Sequence, residues 1–268
     1  MESGNHGRIK TTHFGTGIRA LVLCLLWTGL SFAAHPLITD DTGTMGKGKF
    51  QVEVNSEFSY DKEKEAGITT KERMSELSTI LSYGIVDNVD VVLVVPYQWI
   101  RTKEDGVTTS VDGISDISLE VKWRFYEKDG LGFALKPGIT MPTGDDEDGL
   151  GTGRATSSLF FISTKELEPW AFHLDLGYIR NENKVDERKD LWHASLASEL
   201  EVIKNLSVVA NIGIERTTDS ASDSYPTFIL GGIIYSITEN LDIDLGIKGS
   251  LNNSETDYAL LAGMAWKF

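Results

Sequence analysis

Apolar and polar residues alternate along most of the chain after residue 48. The stretch ISLEVKWRFY, residues 117–126, is a clear case, because every second residue up to Phe125 is apolar and those between are polar. Alternation with a period of two predicts β-strands and argues against helices. About twelve such segments are predicted, at 49–60, 71–83, 89–100, 114–127, 131–142, 155–163, 170–180, 191–203, 206–216, 225–236, 241–251 and 256–268.

The predicted strands are long, and the connections between them alternate in length. Several strands run to 10–13 residues, against about 5–6 in soluble sheets and about 9–11 in tilted transmembrane strands. Every second connection is long and polar, as at 61–70 and 101–113, whereas the others are short turns. This layout is typical of outer-membrane barrels. The sequence therefore predicts an all-β fold, a transmembrane antiparallel up-and-down β-barrel of about 12 strands, over residues 49–268.

The last segment, YALLAGMAWKF, carries an apolar face that closes with Trp266 and the terminal Phe268. It resembles the C-terminal signature of bacterial outer-membrane barrels, so we expect the barrel-assembly machinery to recognise Phe268. Aromatic residues near strand ends are expected to form the two girdles of such a barrel. The residues in question are Phe58, Tyr60, Tyr97, Trp99, Trp123, Trp170, Tyr178, Trp192 and Trp266.

The first 33 residues have the three parts of a secretory signal peptide. Basic residues come first, an apolar run follows at 20–30, and Ser31-Phe32-Ala33 offers a cleavage site. The apolar run is too short for a membrane helix, which needs about 20 residues. We therefore expect export and cleavage of residues 1–33, a short periplasmic segment at 34–48, and location in the bacterial outer membrane.

The composition of the chain limits the classes of molecule that it is expected to bind. The chain has 25 basic and 40 acidic residues, which argues against nucleic-acid binding because that needs a basic surface. Its one cysteine, Cys24, lies in the signal peptide, so the mature chain has no disulfide. The expected partners are outer-membrane lipid, lipopolysaccharide and a small-molecule solute. No cofactor and no metal site is predicted.

The polar faces of the strands are predicted to line the barrel interior, since polar groups cannot sit unpaired in a dry core. Barrels of about 8 strands are filled and those of about 16–18 hold an aqueous channel, so twelve strands allow a narrow passage. The preferred function is a passive channel for small solutes, and a plugged structural or surface-interaction barrel is the alternative. The candidate lining residues are Glu53, Glu57, Glu120, Lys122, Arg124, Lys136, His173, Asp175, His193, Glu199, Glu201, Glu215, Asp242, Asp244 and Lys248.

His193 and Ser195 raise the possibility of a lipid hydrolase. Outer-membrane phospholipases and lipid A deacylases carry a His-x-Ser pair on a barrel strand, where the histidine activates the serine. Here the apolar neighbours Trp192 and Leu196 take the lipid side, which turns the pair inward, and Leu196 stands where those enzymes carry asparagine. No catalytic residue is therefore predicted, and the pair is interpreted as lining the lumen.

The stretch MPTGDDEDGLGTGRA, residues 141–155, joins four consecutive acids to four glycines. The acids are too compact for a calcium loop with ligands at alternate positions, and no helix follows to support phosphate binding. Strand order places the stretch in an outer loop. We expect Asp145, Asp146, Glu147 and Asp148 to form a charged lip at the barrel mouth.

Three stretches resemble one family of barrels. They are AHPLITDDTGTMGKGKFQVEVNSEFSY at 34–60, SYGIVDNVDVVLVVPY at 82–97 and LKPGITMPTGDDEDGLGTG at 135–153. They resemble the outer-membrane barrel family labelled "Putative MetA-pathway of phenol degradation" and its transporter-like relatives. The resemblance implies a Gram-negative outer-membrane protein that passes small organic or aromatic compounds, and it supplies no site residues.

Overall fold

A computed structural model describes residues 35–65, 68–252 and 254–268. The predicted signal peptide lies outside the described residues. The described chain forms thirteen strands: β1 (Phe50–Glu65), β2 (Ile68–Val86), β3 (Val89–Glu104), β4 (Val107–Ile114), β5 (Ile117–Lys128), β6 (Leu131–Met141), β7 (Thr156–Leu167), β8 (Trp170–Arg180), β9 (Asp190–Ile203), β10 (Leu206–Glu215), β11 (Thr227–Thr238), β12 (Leu241–Ser250) and β13 (Tyr258–Lys267). No helix in the described residues is long and apolar enough to cross a membrane.

Twelve of these strands form a closed antiparallel barrel. The sheet runs β2-β1-β13-β12-β11-β10-β9-β8-β7-β6-β5-β3, and pairing of β2 with β3 closes it. Closure satisfies the backbone hydrogen bonds of every strand within the sheet, as a membrane-spanning sheet requires. The all-β fold and the twelve-stranded barrel predicted from the sequence are therefore confirmed.

Strand β4, which is not one of the twelve barrel strands, corrects the loop predicted at 101–113. The second half of β3 pairs with β4, whereas its first half pairs with β5. Asp105 and Gly106 turn the chain between β3 and β4 with positive φ angles of 48° and 86°, as a two-residue hairpin turn needs. The β-branched run VTTSV favours a strand over a loop. The polar composition of residues 101–113 led to the prediction of a loop in place of this strand.

The outward face of the barrel is apolar. Leu245, for example, is 59% exposed and Ile247 is 57% exposed. A band of large exposed apolar side chains around a closed barrel is the surface that lipid covers. Seven of the nine predicted girdle residues are also exposed, whereas Tyr60 and Tyr97 are half-buried.

The segment before the barrel corrects a second expectation. Residues 34–48 were expected to form a periplasmic segment, but residues 35–46 lie inside the barrel against inward-facing side chains. The chain leaves the interior beside β2, where Gly48 N donates to Gly84 O over 2.8 Å, and then enters β1. The short polar side chains of the segment contact the polar inner wall of the barrel. These contacts favour the barrel interior over the periplasm as the position of the segment.

Candidate functional site

Residues 35–46, named here the lumen segment, follow the inner wall of the barrel from β12 round to β3. The contacts are hydrogen bonds and ion pairs with partners on eight different strands, and Leu37 adds apolar packing against buried residues of β11 and β13. In the order of the wall they are His35 with Asp244, Thr39 with Asn211 and Ser195, Asp40 with Asp175, Thr42 with Thr164, Asp40 with Lys136 and Lys122, and Met45 with Asp90.

Asp40 is the electrostatic centre of the lumen segment. Its Oδ1 lies 2.8 Å from Lys122 Nζ and its Oδ2 lies 2.9 Å from Lys136 Nζ. Its backbone N–H donates to Asp175 Oδ2 over 2.8 Å. Burial by itself would raise the pKa of Asp40, but the two ammonium groups outweigh burial and hold that pKa well below its usual range. The carboxylate is therefore ionised and clamps the segment to β5 and β6.

Each lysine also meets a second acid. Lys122 Nζ lies 3.4 Å from Asp41 Oδ1, and Lys136 Nζ lies 3.4 Å from Glu120 Oε2. Buried charges are tolerated only when they are paired in this way. The two lysines thus need the lumen segment for most of their charge compensation.

The wall carries glycines where the lumen segment comes closest. A Cβ atom added to Gly246 would lie 2.7 Å from Pro36 Cβ, and one added to Gly84 would collide with the backbone carbonyl of Gly46. Contacts this short do not occur between non-bonded heavy atoms of this kind. Larger residues at these positions would exclude the segment, so the wall is shaped to hold it.

His193 and Ser195 lie inward, as predicted, and the lumen segment covers them. His193 Nε2 lies 2.9 Å from Ser195 Oγ, and His193 Nδ1 lies 3.2 Å from Glu215 Oε2. Ser195 is only 3% exposed, and its Oγ accepts a hydrogen bond of 2.7 Å from Thr39 Oγ1. The serine hydroxyl therefore meets neither lipid nor open lumen, and the network serves to anchor Thr39.

A cavity of 310 Å³ remains between the lumen segment and the opposite wall. Its wall residues come from β1, β2, β3, β5 and β6, and eight residues of the lumen segment, among them Asp40 and Asp41, complete it. This cavity is the candidate functional site. Its wall side is formed by Gln51, Glu53, Asn55, Ile80, Ser82, Asp90, Val92, Val94, Glu120, Lys122 and Lys136.

The fifteen predicted lining residues separate into three groups. Glu53, Glu120, Lys122 and Lys136 border the cavity; His173, Asp175, His193, Asp242 and Asp244 are buried along the wall that carries the lumen segment; and Glu57, Arg124, Glu199, Glu201, Glu215 and Lys248 lie elsewhere. The structure therefore brings only the first group together around one space.

The third group includes a separate ion cluster and two rim residues. Lys248 Nζ lies 3.2 Å from Glu57 and 3.7 Å from Glu255, an acid of the loop between β12 and β13. Burial raises the pKa of Glu255, and Lys248 opposes this. Glu201 is exposed beside the turn after β9, and Arg124 pairs with exposed Glu127. Glu201 and Arg124 thus belong to the rim, because the strand alternation continues past the end of the lumen.

Sequence reasoning missed Asp40, Asp41, Gln51, Asn55 and Asp90. The amide side chains of Gln51 and Asn55 face inward with Glu53. They carry no charge, and the lining residues were predicted from charged side chains, so these two were not included. Asp40 and Asp41 precede the first strand, where periodicity carries no information. A usable signal was the need of inward Lys122 and Lys136 for buried acids, which the neighbouring strands do not fully supply.

The acidic loop is tied to the barrel by Asp116, which follows β4. Asp116 accepts hydrogen bonds from the N–H groups of Gly144 and Thr152, over 2.9 and 2.8 Å. Leu150 of the loop is buried beside Gly113. Asp145, Glu147 and Asp148 are exposed, and Asp146 lies 3.5 Å from Lys184. The loop is therefore folded and anchored, and its effect on passage through the barrel stays a prediction.

Replacing Asp116 with alanine is expected to loosen the acidic loop. The change removes two charge-assisted hydrogen bonds to the backbone, each worth about 1.5–3 kcal/mol. Tryptic cleavage after Arg154 in the folded protein should become several-fold faster. Asp148→Ala, at an exposed acid of the same loop, should leave the cleavage rate near that of the wild type. Equal rates for the two variants would show that Asp116 does not hold the loop.

No group of three His, Cys, Asp or Glu side chains in residues 35–65, 68–252 and 254–268 is placed to hold a metal ion. Pairs of acids and bases dominate the interior instead.

Residues 36–268 match the sequence profile of the family described as "Putative MetA-pathway of phenol degradation". The match confirms the resemblance that the three stretches suggested. No curated protein matches the chain in sequence.

Solved structures of outer-membrane proteins are similar to the chain in fold. An outer-membrane channel from Pseudomonas putida F1 is 16% identical, with a TM-score of 0.66 over 85% of this chain and 98% of that one. The β domain of the Bordetella autotransporter BrkA is 14% identical, with a TM-score of 0.56 over 83% of this chain and all of that one. The NalP translocator domain from Neisseria meningitidis is 13% identical, with a TM-score of 0.53 over 83% and 89%. At these identities the likeness establishes the barrel fold.

Proposed function

We propose a passive channel function for this chain, which belongs to the family "Putative MetA-pathway of phenol degradation". The proposed channel passes small solutes across the outer membrane. The observation that carries the proposal is the 310 Å³ cavity, with polar and charged walls, that remains beside the lumen segment. A barrel that served only as a scaffold would have no need of a polar space within its core.

The lumen segment sets the size of solute that the proposed channel admits. It occupies one side of a twelve-stranded barrel, whose interior is intermediate between the filled and the wide classes. Large hydrated solutes are therefore excluded, and small ones pass beside Asp40 and Glu53. Charged side chains at such a constriction are the usual source of selectivity.

The same proposal places the chain in the bacterial outer membrane after removal of its signal peptide. Outer-membrane lipid would cover the apolar outer face, and lipopolysaccharide would surround the outer loops. Phe268 stacks on Phe50 with ring centroids 4.9 Å apart, at the end of β13. This terminal aromatic supports recognition by the barrel-assembly machinery, which should fold the unfolded Phe268→Ala chain more slowly than the wild-type chain.

A plugged structural barrel is the second candidate, and the dense anchoring of the lumen segment favours it. Partners on eight strands hold the segment, and two of its ion pairs are largely buried. If the lumen segment blocks all passage past the cavity, the barrel would fold and conduct nothing.

Purified protein in planar bilayers separates the two candidates. We expect step-like ion currents, and liposomes that swell several-fold faster in arabinose than in the bulkier raffinose, because only the narrow cavity is open. A shift in gel mobility on heating confirms that the sample is a folded barrel. Folded protein that gives neither current nor swelling would reject the channel and leave the plugged barrel.

A further inference from the structure

Unpartnered acceptor oxygens gather around the lumen cavity. Gln51, Asp90 and Asp41 are 7%, 3% and 1% exposed, and each carries one buried side-chain oxygen with no hydrogen-bond partner in the described residues. The Oδ1 atom of Asn55 is also buried and has no hydrogen-bond partner in the described residues. All four residues line the cavity. Buried polar atoms are rarely left unpaired, so such a group indicates a place for a hydrogen-bond donor.

Glu53 fixes the direction of the two amides. Gln51 Nε2 donates to Glu53 Oε1 over 2.6 Å, and Asn55 Nδ2 approaches Glu53 Oε2 at 3.4 Å. The two carboxylate oxygens accept these contacts, so both amides turn their nitrogens toward Glu53. Their carbonyl oxygens are the atoms left over. The sequence Gln-x-Glu-x-Asn on one strand face thus builds a surface made of acceptors.

The acids of the lumen segment and of β3 add to this surface. Asp90 Oδ2 accepts from Met45 N–H over 2.9 Å, which leaves Oδ1 unpartnered. Asp41 Oδ1 accepts from Gly43 N–H and lies 3.4 Å from Lys122, which leaves Oδ2 unpartnered. Each carboxylate is therefore held in place by one oxygen, and its other oxygen is buried without a partner beside the cavity.

The two lysines of the cavity do not balance these acids. Lys122 and Lys136 are both engaged by Asp40, and each has a second acid at 3.4 Å. Five carboxylates and two ammonium groups line the cavity, which is a formal excess of three negative charges. The cavity therefore favours a cation over an anion or a neutral molecule.

The cavity also has an apolar wall. Ile80, Val92 and Val94 line it from β2 and β3. Its volume is at the lower end of the range of about 300–1,000 Å³ for ligand pockets. An ammonium group supplies several N–H donors to the acceptors, and an attached hydrocarbon body would cover the apolar wall. A bare metal ion would leave that wall without a partner.

We propose that the cavity is a binding site for small organic cations, with a primary ammonium on the acceptors of β1 and β3 and an apolar body against Ile80 and Val92. This inference rests on the proposed channel function and names the solute class of the same passage. Benzylammonium is a suitable probe, because benzyl alcohol and benzoate keep its ring and change only the charge.

Saturation-transfer NMR on the detergent-solubilised mature protein tests the site without requiring conduction. Benzylammonium is expected to bind at least tenfold more tightly than benzyl alcohol, and benzoate should not bind. The double variant Glu53→Gln/Asp90→Asn should weaken benzylammonium binding at least tenfold, since it removes two charges while keeping acceptors for Gln51 and Met45. Glu147→Gln, the same change in an exposed outer loop, should bind as the wild type does.

Equal binding of benzylammonium and benzyl alcohol, or unchanged binding in the double variant, would overturn the site. So would absence of benzylammonium binding to a folded sample. Potassium chloride currents recorded on the same preparation test the channel separately. Currents without benzylammonium binding reject only the cation site, whereas binding without currents rejects the channel and leaves a lumen site.

Discussion

Replacing Asp40 with asparagine is expected to release the lumen segment from β5 and β6 and to raise the single-channel conductance several-fold. The carboxylate holds Lys122 and Lys136 at 2.8 and 2.9 Å. An asparagine of the same shape removes the charge, and both lysines then lie partly buried with one weaker partner each. Removing one member of a buried ion pair leaves an uncompensated charge, which drives the lysines toward water and opens the passage.

The same change should destabilise the folded barrel by about 3 kcal/mol. Breaking a buried pair costs about 3–5 kcal/mol, and the low end applies because Asp41 and Glu120 stay 3.4 Å from the two lysines. Urea unfolding in detergent gives the stability, and bilayer recording gives the conductance. A variant whose mature chain begins at residue 47 lacks the lumen segment. Its conductance is the reference value for a barrel without the segment.

Asp145→Asn is the matched control, because it makes the same change at an exposed acid of the outer loop. It should leave both measurements near the wild-type values. If Asp40→Asn lowers stability but leaves the conductance unchanged, the segment stays in place without its ion pairs. In that case its other hydrogen bonds, such as that from Thr39 to Ser195, are sufficient anchors.

The barrel could be predicted from the sequence because its information is local. The alternation of polar and apolar residues within a segment is enough to predict that strand. The length of each connection follows from the side of the membrane on which it lies. The β3–β4 hairpin escaped prediction for a local reason as well. Its residues are polar on both faces because they extend beyond the lipid-covered band, so alternation of hydrophobicity does not mark them.

The lumen segment could not be predicted in the same way, because its partners are distant in the chain. Asp40 meets residues 82, 96 and 135 positions away, and His35 meets a residue 209 positions away. A short polar segment with glycine has no period that marks it as buried. The cavity was half predicted: Glu53, Glu120 and the two lysines were found by their charge and register, whereas the acceptors that face them from the segment were not.

Replacing Gly84 with alanine is expected to displace the end of the lumen segment. A Cβ atom at this position would overlap the carbonyl of Gly46, and a backbone atom cannot rotate out of the way as a side chain can. The chain there is also held by the hydrogen bond from Gly48 N to Gly84 O, so the overlap falls where the segment leaves the barrel. Overpacking of this kind costs about 1–3 kcal/mol.

We expect this displacement to loosen Met45 from Asp90 and to increase the conductance at least twofold. Gly249→Ala in β12 is the matched control, since an added Cβ atom there meets no atom within 4 Å. It should leave the conductance unchanged and the stability equal or slightly higher, because alanine loses less backbone entropy than glycine. Similar conductance in the two variants would mean that the wall glycines do not position the segment. A rise confined to Gly84→Ala would instead show that the barrel wall and the lumen segment set the passage together.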